Sequence, residues 1–347
     1  MGAAELDSQV PSNLNVVTSF SVELQMNGPA NRFELILGRS DRLTIGESEI
    51  LPGAPLPGAE RLSISRGDPV TVGLGYEDEM VAVFSGEVNE VLPGIKHLRV
   101  MALDGARKLQ QMRINQTYEQ QTTGDIVADV ASTAGVTVGN KDAGIEFPFY
   151  VIDDQKTGYE HILELAQKNG YDFYFDDENR LIFKAFSETP PAKVFRYGVD
   201  VLNLEIAYQD PRVERVEVRG ESPASSQGIE KAHWLVKSFE DSLGVAGTGS
   251  RVENLTDPVI RTKAAADAMA AAKLSSVSAN VVSGRVRVLM APDVKLGDIV
   301  QAEGFPDGTL NAAYHIRGLQ HIYSPREGFI SEFRFRAAGK AGLGLGL

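Results

Sequence analysis

Hydrophobic and polar residues alternate near the start of the chain, with Phe20, Val22 and Leu24 on one side and Ser21, Glu23 and Gln25 on the other. A period of two predicts a half-buried strand. Asn27-Gly28-Pro29 has turn chemistry, and Phe33 to Leu37 predicts a second strand. Pro52 to Gly58 reads as a Pro/Gly loop, and strand-like runs follow from Pro69 to Tyr76, Met80 to Leu92 and His97 to Leu103. The first third therefore predicts a sheet of long antiparallel strands.

The period then changes. Ile126, Val127, Val130, Ala131 and Ala134 recur at helical spacing, with Thr122 and Asp125 at capping-box positions and Gly135 closing the run. Thr157 and Glu160 repeat the box ahead of Tyr159, Ile162, Leu163 and Ala166, and Gly170 ends that run. Tyr171 to Phe175 and Arg180 to Lys184 flank Asp176, Asp177, Glu178 and Asn179, which predicts a β-hairpin with an acidic turn. Gly220 to Gly249 is rich in Gly and Ser and reads as a long surface connection. Thr256-Asp257-Pro258 predicts a helix start with proline at the first position, and an alanine-dense body through Leu274. Alanine favours helix but buries little area, so this helix should be thin enough to lie close to a sheet. Residues 337–347 show no pattern and are expected to form a flexible tail.

One internal echo stands out. Gly67-Asp68-Pro69-Val70 and Gly297-Asp298-Ile299-Val300 lie 230 residues apart (297 against 67), each opening a predicted strand. At that offset Phe84 meets Tyr314, Val100 meets Ile330 and Leu103 meets Phe333. Gly-Asp suits a tight turn in which the Asp side chain holds a nearby N–H. The echo predicts two related β units, one near each end, with helical insertions between. Two such units per chain turn a trimer into a ring of six similar units.

Composition narrows the function. With 347 residues, 43% hydrophobic and 23% charged, the chain suits a folded protein of two or three domains. The net charge of −13 opposes binding to phosphate backbones or anionic membranes. There are no cysteines, which removes disulfides, thiolate nucleophiles and Cys-ligated metals. No apolar run reaches membrane-spanning length, and Met1 to Asp7 lacks the features of a signal peptide. Membrane insertion is not expected, and the cytoplasm is the default compartment.

Candidate chemistry is sparse. His97, His161, His233, His315 and His321 show no metal-binding spacing, and each reads as a surface or partly packed residue. Gly73-Leu74-Gly75 opens no helix and is not a dinucleotide loop, and neither a nucleophile elbow nor a P-loop occurs. The acidic clusters are Glu77-Asp78-Glu79, Asp153-Asp154 and Asp176-Asp177-Glu178, of which the first and third sit at predicted turns. Arg66-Gly67-Asp68 reads as turn rather than adhesion motif, and Asn115 and Asn254 match glycosylation acceptors without a secretion signal. Trp234 reads as a core residue or an interface anchor. No catalytic, cofactor-binding or metal-ligating residue is assigned, and no enzyme activity is expected.

Several stretches together resemble the phage late-control D proteins, the baseplate hubs of contractile tails, and the hub portion of the VgrG proteins. They are Leu103-Asp-Gly-Ala-Arg-Lys-Leu109, Tyr118, Thr122-Thr-Gly-Asp-Ile-Val127, Ala134-Gly135, Gly158-Tyr-Glu-His-Ile-Leu-Glu-Leu-Ala166, Asn169-Gly-Tyr171 and Arg180-Leu-Ile-Phe183. Arg196-Tyr-Gly-Val-Asp-Val-Leu202, Leu296-Gly-Asp-Ile-Val300, Tyr314-His-Ile-Arg-Gly-Leu-Gln-His321 and Gly328-Phe-Ile330 complete the set. The order and spacing of these stretches carry the likeness, over roughly residues 65–336. Leu296 stands where the family often has proline.

The resemblance implies a β-rich α+β fold with two tube-protein-like β-barrel domains and inserted small α+β units. Expected boundaries are 1–104 for the first barrel, 105–190 for the inserted units, 191–258 for return strands and a long surface loop, 259–336 for the second barrel with its Ala-rich helix, and 337–347 for the tail. The implied function is a structural hub, a homotrimer that adapts a six-fold inner tube to a three-fold spike. Its partners would be the inner tube protein, a separate spike protein and other baseplate components. It would assemble in the cytoplasm into a virion tail or injection-system baseplate. The alternatives are a tail-associated cell-wall hydrolase and a glycan-binding tail-tip protein.

Overall fold

The computed structural model describes residues 17–38, 44–45, 48–49, 64–76, 79–94, 97–220 and 243–338. The Pro52 to Gly58 loop, Glu77, Asp78, His233, Trp234 and the segments 1–16 and 339–347 lie outside them.

The first stretch holds β1 (Val17–Gln25), β2 (Arg32–Gly38), the short pair β3 (Thr44–Ile45) and β4 (Ser48–Glu49), β5 (Pro69–Tyr76), β6 (Glu79–Pro93) and β7 (His97–Leu103). The middle holds α1 (Ala106–Gln111), β8 (Gln116–Thr122), α2 (Thr123–Thr133), β9 (Val138–Lys141), β10 (Glu146–Ile152), α3 (Gly158–Asn169), β11 (Tyr171–Phe175) and β12 (Leu181–Ala185). After it come β13 (Lys193–Arg196), β14 (Val201–Tyr208), β15 (Arg215–Arg219), β16 (Gly244–Gly247), β17 (Val252–Thr256), α4 (Lys263–Ala279), β18 (Val282–Leu289), β19 (Ile299–Glu303), β20 (Ala313–Ser324) and β21 (Gly328–Ala337). The fold is a β-rich α+β fold.

One eleven-stranded sheet runs through both ends of the chain in the order β14-β18-β21-β20-β1-β2-β7-β6-β5, with β19 also on β20 and β13 on β19. The alternation read in the sequence sets its inner face. Phe20, Val22 and Leu24 of β1 and Phe33, Leu35 and Leu37 of β2 are buried in one core with Phe84, Val88, Val286, Val288, Ile316 and Phe333. A second core gathers the inserted units. Ile126, Val127 and Val130 of α2, Ile162 and Leu165 of α3, and Phe147, Phe173 and Phe183 pack there with Val216, Val218, Ala265, Ala266 and Ala270. The Ala-rich helix, expected within the second barrel, thus packs its buried alanines in the core of the insertion.

The two central helices start where their caps dictate. Thr122 Oγ1 accepts from Asp125 N–H, and Thr157 with Glu160 forms a complete capping box. Gly170 ends α3 at φ 65°, a left-handed conformation that glycine adopts without strain.

Four expectations change. The last helix starts at Lys263 with Thr262 as its cap, not at Pro258. Asp257, five residues ahead of that cap, instead forms a buried ion pair with Lys168. Part of the expected Gly/Ser connection, Gly244–Gly247, is a strand on β15. It lets α4 approach, since a Cβ on Gly244 would lie 2.2 Å from the Ala266 backbone. Ala337 belongs to β21 and Ala338 is buried, so the expected tail does not begin at 337. Finally, His161, His315 and His321, expected at the surface or partly packed, are buried.

Candidate assembly surface

The echo in the sequence is a repeated piece of geometry. Ser65 to Asp68 and Lys295 to Asp298 make the same turn, with Gly67 at φ 90° and Gly297 at φ 89°. Asp68 Oδ2 accepts from Ser65 N–H at 2.8 Å, and Asp298 Oδ2 accepts from Lys295 N–H at 2.8 Å. Gly67 N–H donates to Val88 O at 2.9 Å, and Val88 N–H returns to Asp68 O at 2.8 Å. Gly297 N–H donates to Ile316 O at 3.1 Å, and Ile316 N–H returns to Asp298 O at 2.9 Å.

The likeness extends through both halves. In the first, the strand order is β5-β6-β7-β2-β1; in the second it is β19-β20-β21-β18-β14. Two irregularities coincide, while the shift between Val72 and Gly73 where β5 pairs with β6 has no counterpart where β19 pairs with β20. β6 bulges on β7 between Val88 and Glu90, and β20 bulges on β21 between Ile316 and Gly318. β1 bulges on β2 between Val17 and Ser19, and β14 bulges on β18 between Val201 and Asn203. A bulge moves every later side chain to the other face, so two coincident bulges fix the correspondence residue by residue. Val88 matches Ile316, Ala102 matches Phe335 and Val17 matches Val201.

This corrects the single offset of 230. Val100 matches Phe333 rather than Ile330, and Leu103 matches Arg336 rather than Phe333, because β20 and β21 run further past the bulge before their turn. Ser324 pairs with Gly328 at the tip of one hairpin, whereas Pro93 pairs with Leu98 at the tip of the other. A uniform slide of one sequence over the other cannot accommodate unequal turns.

The two halves meet where β1 pairs with β20, Phe20 opposite Tyr323 through Gln25 opposite Gly318. The β11–β12 hairpin clamps the junction from the insertion. Asn27 N–H donates to Phe173 O at 2.8 Å, and Asn27 Oδ1 accepts from Phe173 N–H at 2.7 Å. Ser85 Oγ donates to Asp177 O at 2.7 Å. On the second half, Lys295 pairs with Asp177 at 2.6 Å, and Arg317, the residue of the bulge, pairs with buried Asp172 at 2.6 Å.

The titratable groups raised by the sequence do not converge on a reacting centre. His321 and His315 share β20. Burial holds the His321 imidazole down to about 4 and the His315 imidazole down to about 3. Ser331 Oγ accepts from Ala291 N–H at 3.1 Å and lies 2.9 Å from His321 Nδ1, where its hydroxyl can donate. His161 sits 2.9 Å from the Asp153 carbonyl, and His97 is exposed at the start of β7. Asp176 caps its own hairpin turn through Glu178 N–H and Arg180 N–H, and also pairs with Arg180. Asp153 Oδ1 accepts from Gln155 N–H in a local turn. Gly73 and Gly75 lie in β5, and Asn254 lies in β17. Asn115 Oδ1 accepts from Asp154 N–H. A cavity of about 210 Å³ at the junction is lined by Leu24, Tyr174, Lys295, Asp298, Leu319 and His321, but Lys295 and Asp298 are engaged in the ion pair and turn already described. Among the described residues no group of three His, Asp or Glu side chains could hold a metal ion, and no helix is long and apolar enough to cross a membrane.

Sequence reasoning passed over Asp104. Burial pushes its carboxyl up to about 7, with Oδ1 accepting from Ala106 N–H and Oδ2 buried without a partner among the described residues. Its position directly after a strand and before α1 was the available signal.

Some exposed apolar residues lie on strand edges. Leu92 at the end of β6 is 43% exposed, and Tyr208 and Leu202 on β14 are 44% and 53% exposed. β14 is the last strand of its sheet path, and beyond its bulge β6 pairs only with β7 among the described strands. Among the described residues no further strand pairs with these edges, and an unpaired edge can accept another chain.

A family model described as the Alg8 N-terminal domain matches residues 59–324. The chain belongs to that family. No curated protein matches it in sequence. Solved structures share its fold. The prophage MuSo2 43 kDa tail protein from Shewanella oneidensis is 14% identical with a TM-score of 0.68, covering 93% of this chain and 94% of that one. A tail protein from Neisseria meningitidis MC58 is 14% identical with a TM-score of 0.66, covering 94% of each chain. An Escherichia coli type VI secretion component, described as similar to the T4 tail proteins gp27 and gp5, is 10% identical with a TM-score of 0.56, covering 98% of this chain and 78% of that one. The fold is one shared with proteins described as phage tail proteins.

Proposed function

We propose that the chain is a structural baseplate hub of a contractile phage tail or contractile injection system, a homotrimer adapting a six-fold inner tube to a three-fold spike. The observation that carries this is the repeated half, with matching strand order, turn and both bulges. Three chains then present six similar edges and faces, which is what a six-fold ring requires of a three-fold neighbour. In this reading the barrel-like units form the ring, the unit at residues 105–190 buttresses their junction, and the inner tube protein, the spike and other baseplate components are the partners. The fold shared with proteins described as tail proteins supports it. Assembly, not turnover, is the role, and the tail or injection-system baseplate is the place.

The test is the mass of the purified protein in solution with class-averaged electron micrographs. The expected result is a trimer with an axial channel and pseudo-six-fold outline. A monodisperse monomer that also fails to bind tube and spike proteins would refute the proposal.

A further inference from the structure

Resting on the ring reading, the geometry points to a specific seam between chains: β14 of one copy pairs antiparallel with the Glu90–Pro93 stretch of β6 in the next, in the register that β1 and β20 use inside one chain. The correspondence set by the bulges makes β14 the equivalent of β1 and β6 the equivalent of β20. Val22 corresponds to Ile206, Glu23 to Ala207 and Leu24 to Tyr208. His321 corresponds to Pro93, Gln320 to Leu92 and Leu319 to Val91. The internal pairs are Val22 with His321, Glu23 with Gln320 and Leu24 with Leu319. Carried over, they become Ile206 with Pro93, Ala207 with Leu92 and Tyr208 with Val91.

Two further observations agree. The first is backbone parity. Gln209 N–H donates to Val281, on the side of β18, so the N–H and C=O groups of Tyr208 and Ile206 face away from the sheet. Gly94 N–H donates to His97, on the side of β7, so those of Val91 and Pro93 face the open side. The groups that the register needs to meet are therefore the outward ones on both strands.

The second is side-chain chemistry. The internal pair Glu23 with Gln320 is polar, whereas its external counterpart joins Ala207 to Leu92, both exposed here. Leu92 and Tyr208 would be covered by the seam. Pro93 brings no N–H to it, so this seam carries one hydrogen bond fewer than the internal one. The ring thus alternates a covalently tethered seam with a weaker one, and an isolated chain is less ready to pair with the wrong strand.

Cysteine cross-linking reads the register directly, because the chain has no cysteine of its own. Ala207 and Leu92 would form a non-hydrogen-bonded pair, with Cα atoms about 4.5 Å apart and within disulfide reach. Leu92→Cys and Ala207→Cys chains are co-expressed and oxidised, with each variant alone as control and with Leu92→Cys plus Glu205→Cys as the pair slipped by two residues. The expected result is a covalent two-chain species from the L92C and A207C mixture, about tenfold above either variant alone and above the slipped pair. The double variant L92C/A207C should close into covalent trimers. A trimer in solution that links no better through L92C and A207C than through the slipped pair overturns this seam and leaves the hub reading standing. A monodisperse monomer that also binds neither tube nor spike protein overturns both.

Discussion

Asp172→Asn probes how the insertion is fixed across the two halves. Asp172 lies on β11 and is 5% exposed. Its Oδ1 accepts from Arg317 Nη1 at 2.6 Å, and its Oδ2 lies 3.7 Å from Arg336 Nη2. Burial and the neighbouring Arg317 already pull the Arg336 guanidinium down to about 10, against the pull of Asp172. The amide removes the only anion that pairs with Arg317 or Arg336 among the described residues and leaves two guanidinium groups facing each other. Breaking a buried ion pair from one side costs about 3–5 kcal/mol. The Arg317 side chain keeps 20% exposure, so water recovers part of that and the lower end, about 3 kcal/mol, applies. With a urea slope near 3 kcal/mol/M for a chain of this size, the midpoint should fall by about 1 M. Circular dichroism follows the transition. Hydrogen exchange should also report local opening at Phe173 and Asn27, whose amides bridge the hairpin and the first half. Arg317→Met should cost less, since Arg336 remains near Asp172, and the double variant should show a coupling of at least about 1 kcal/mol. A loss under about 0.5 kcal/mol for Asp172→Asn, or additive single losses, would refute the reasoning.

The repeated turn supplies an internal control: Gly67→Ala meets nothing within 4 Å, whereas Gly297→Ala meets Tyr174 Oη at 3.0 Å and Met26 Cε at 3.3 Å. Both should lose about 1–2 kcal/mol to backbone strain, and the second about 1 kcal/mol more in thermal denaturation; equal losses would contradict the geometry. Asp104, with its carboxyl raised to about 7, favours the folded state fully below pH 4 and progressively less as pH rises to 7. Asp104→Asn should therefore gain on the native chain by about 1.4 kcal/mol per pH unit across that range, and a pH-independent difference would count against a neutral buried carboxyl. His321 and His315, held down to about 4 and 3, act in the opposite sense: stability present above pH 6.5 is lost as pH falls towards those values, by about 1.4 kcal/mol per unit for each. His321→Gln should flatten that acid slope in urea titrations, and an unchanged slope would show that the imidazole is already charged.

The sequence by itself determined what is local. The alternation of Phe20, Val22 and Leu24 specified a strand and its buried face, because side chains on a strand alternate with a period of two. Thr157 with Glu160 and Gly170 specified both ends of α3, because capping is settled within a few residues. The Gly-Asp pair at 67 and again at 297 pointed to a repeat, because a left-handed turn held by an Asp side chain needs little beyond its own residues. Tertiary structure decided what depends on distant partners. The start of α4 moved from Pro258 to Lys263 because Asp257 is drawn to Lys168 on α3, a contact that no local pattern encodes. Gly244–Gly247 became a strand because β15 offers it an edge and α4 needs glycine beneath it. The correspondence between the halves required the bulges at Thr18, Asn89, Leu202 and Arg317, since a bulge exists only in the pairing of two strands. The strand edges that the seam would use emerge only when the sheet order shows which strands are last, and that order is a property of the assembled sheet rather than of any single segment.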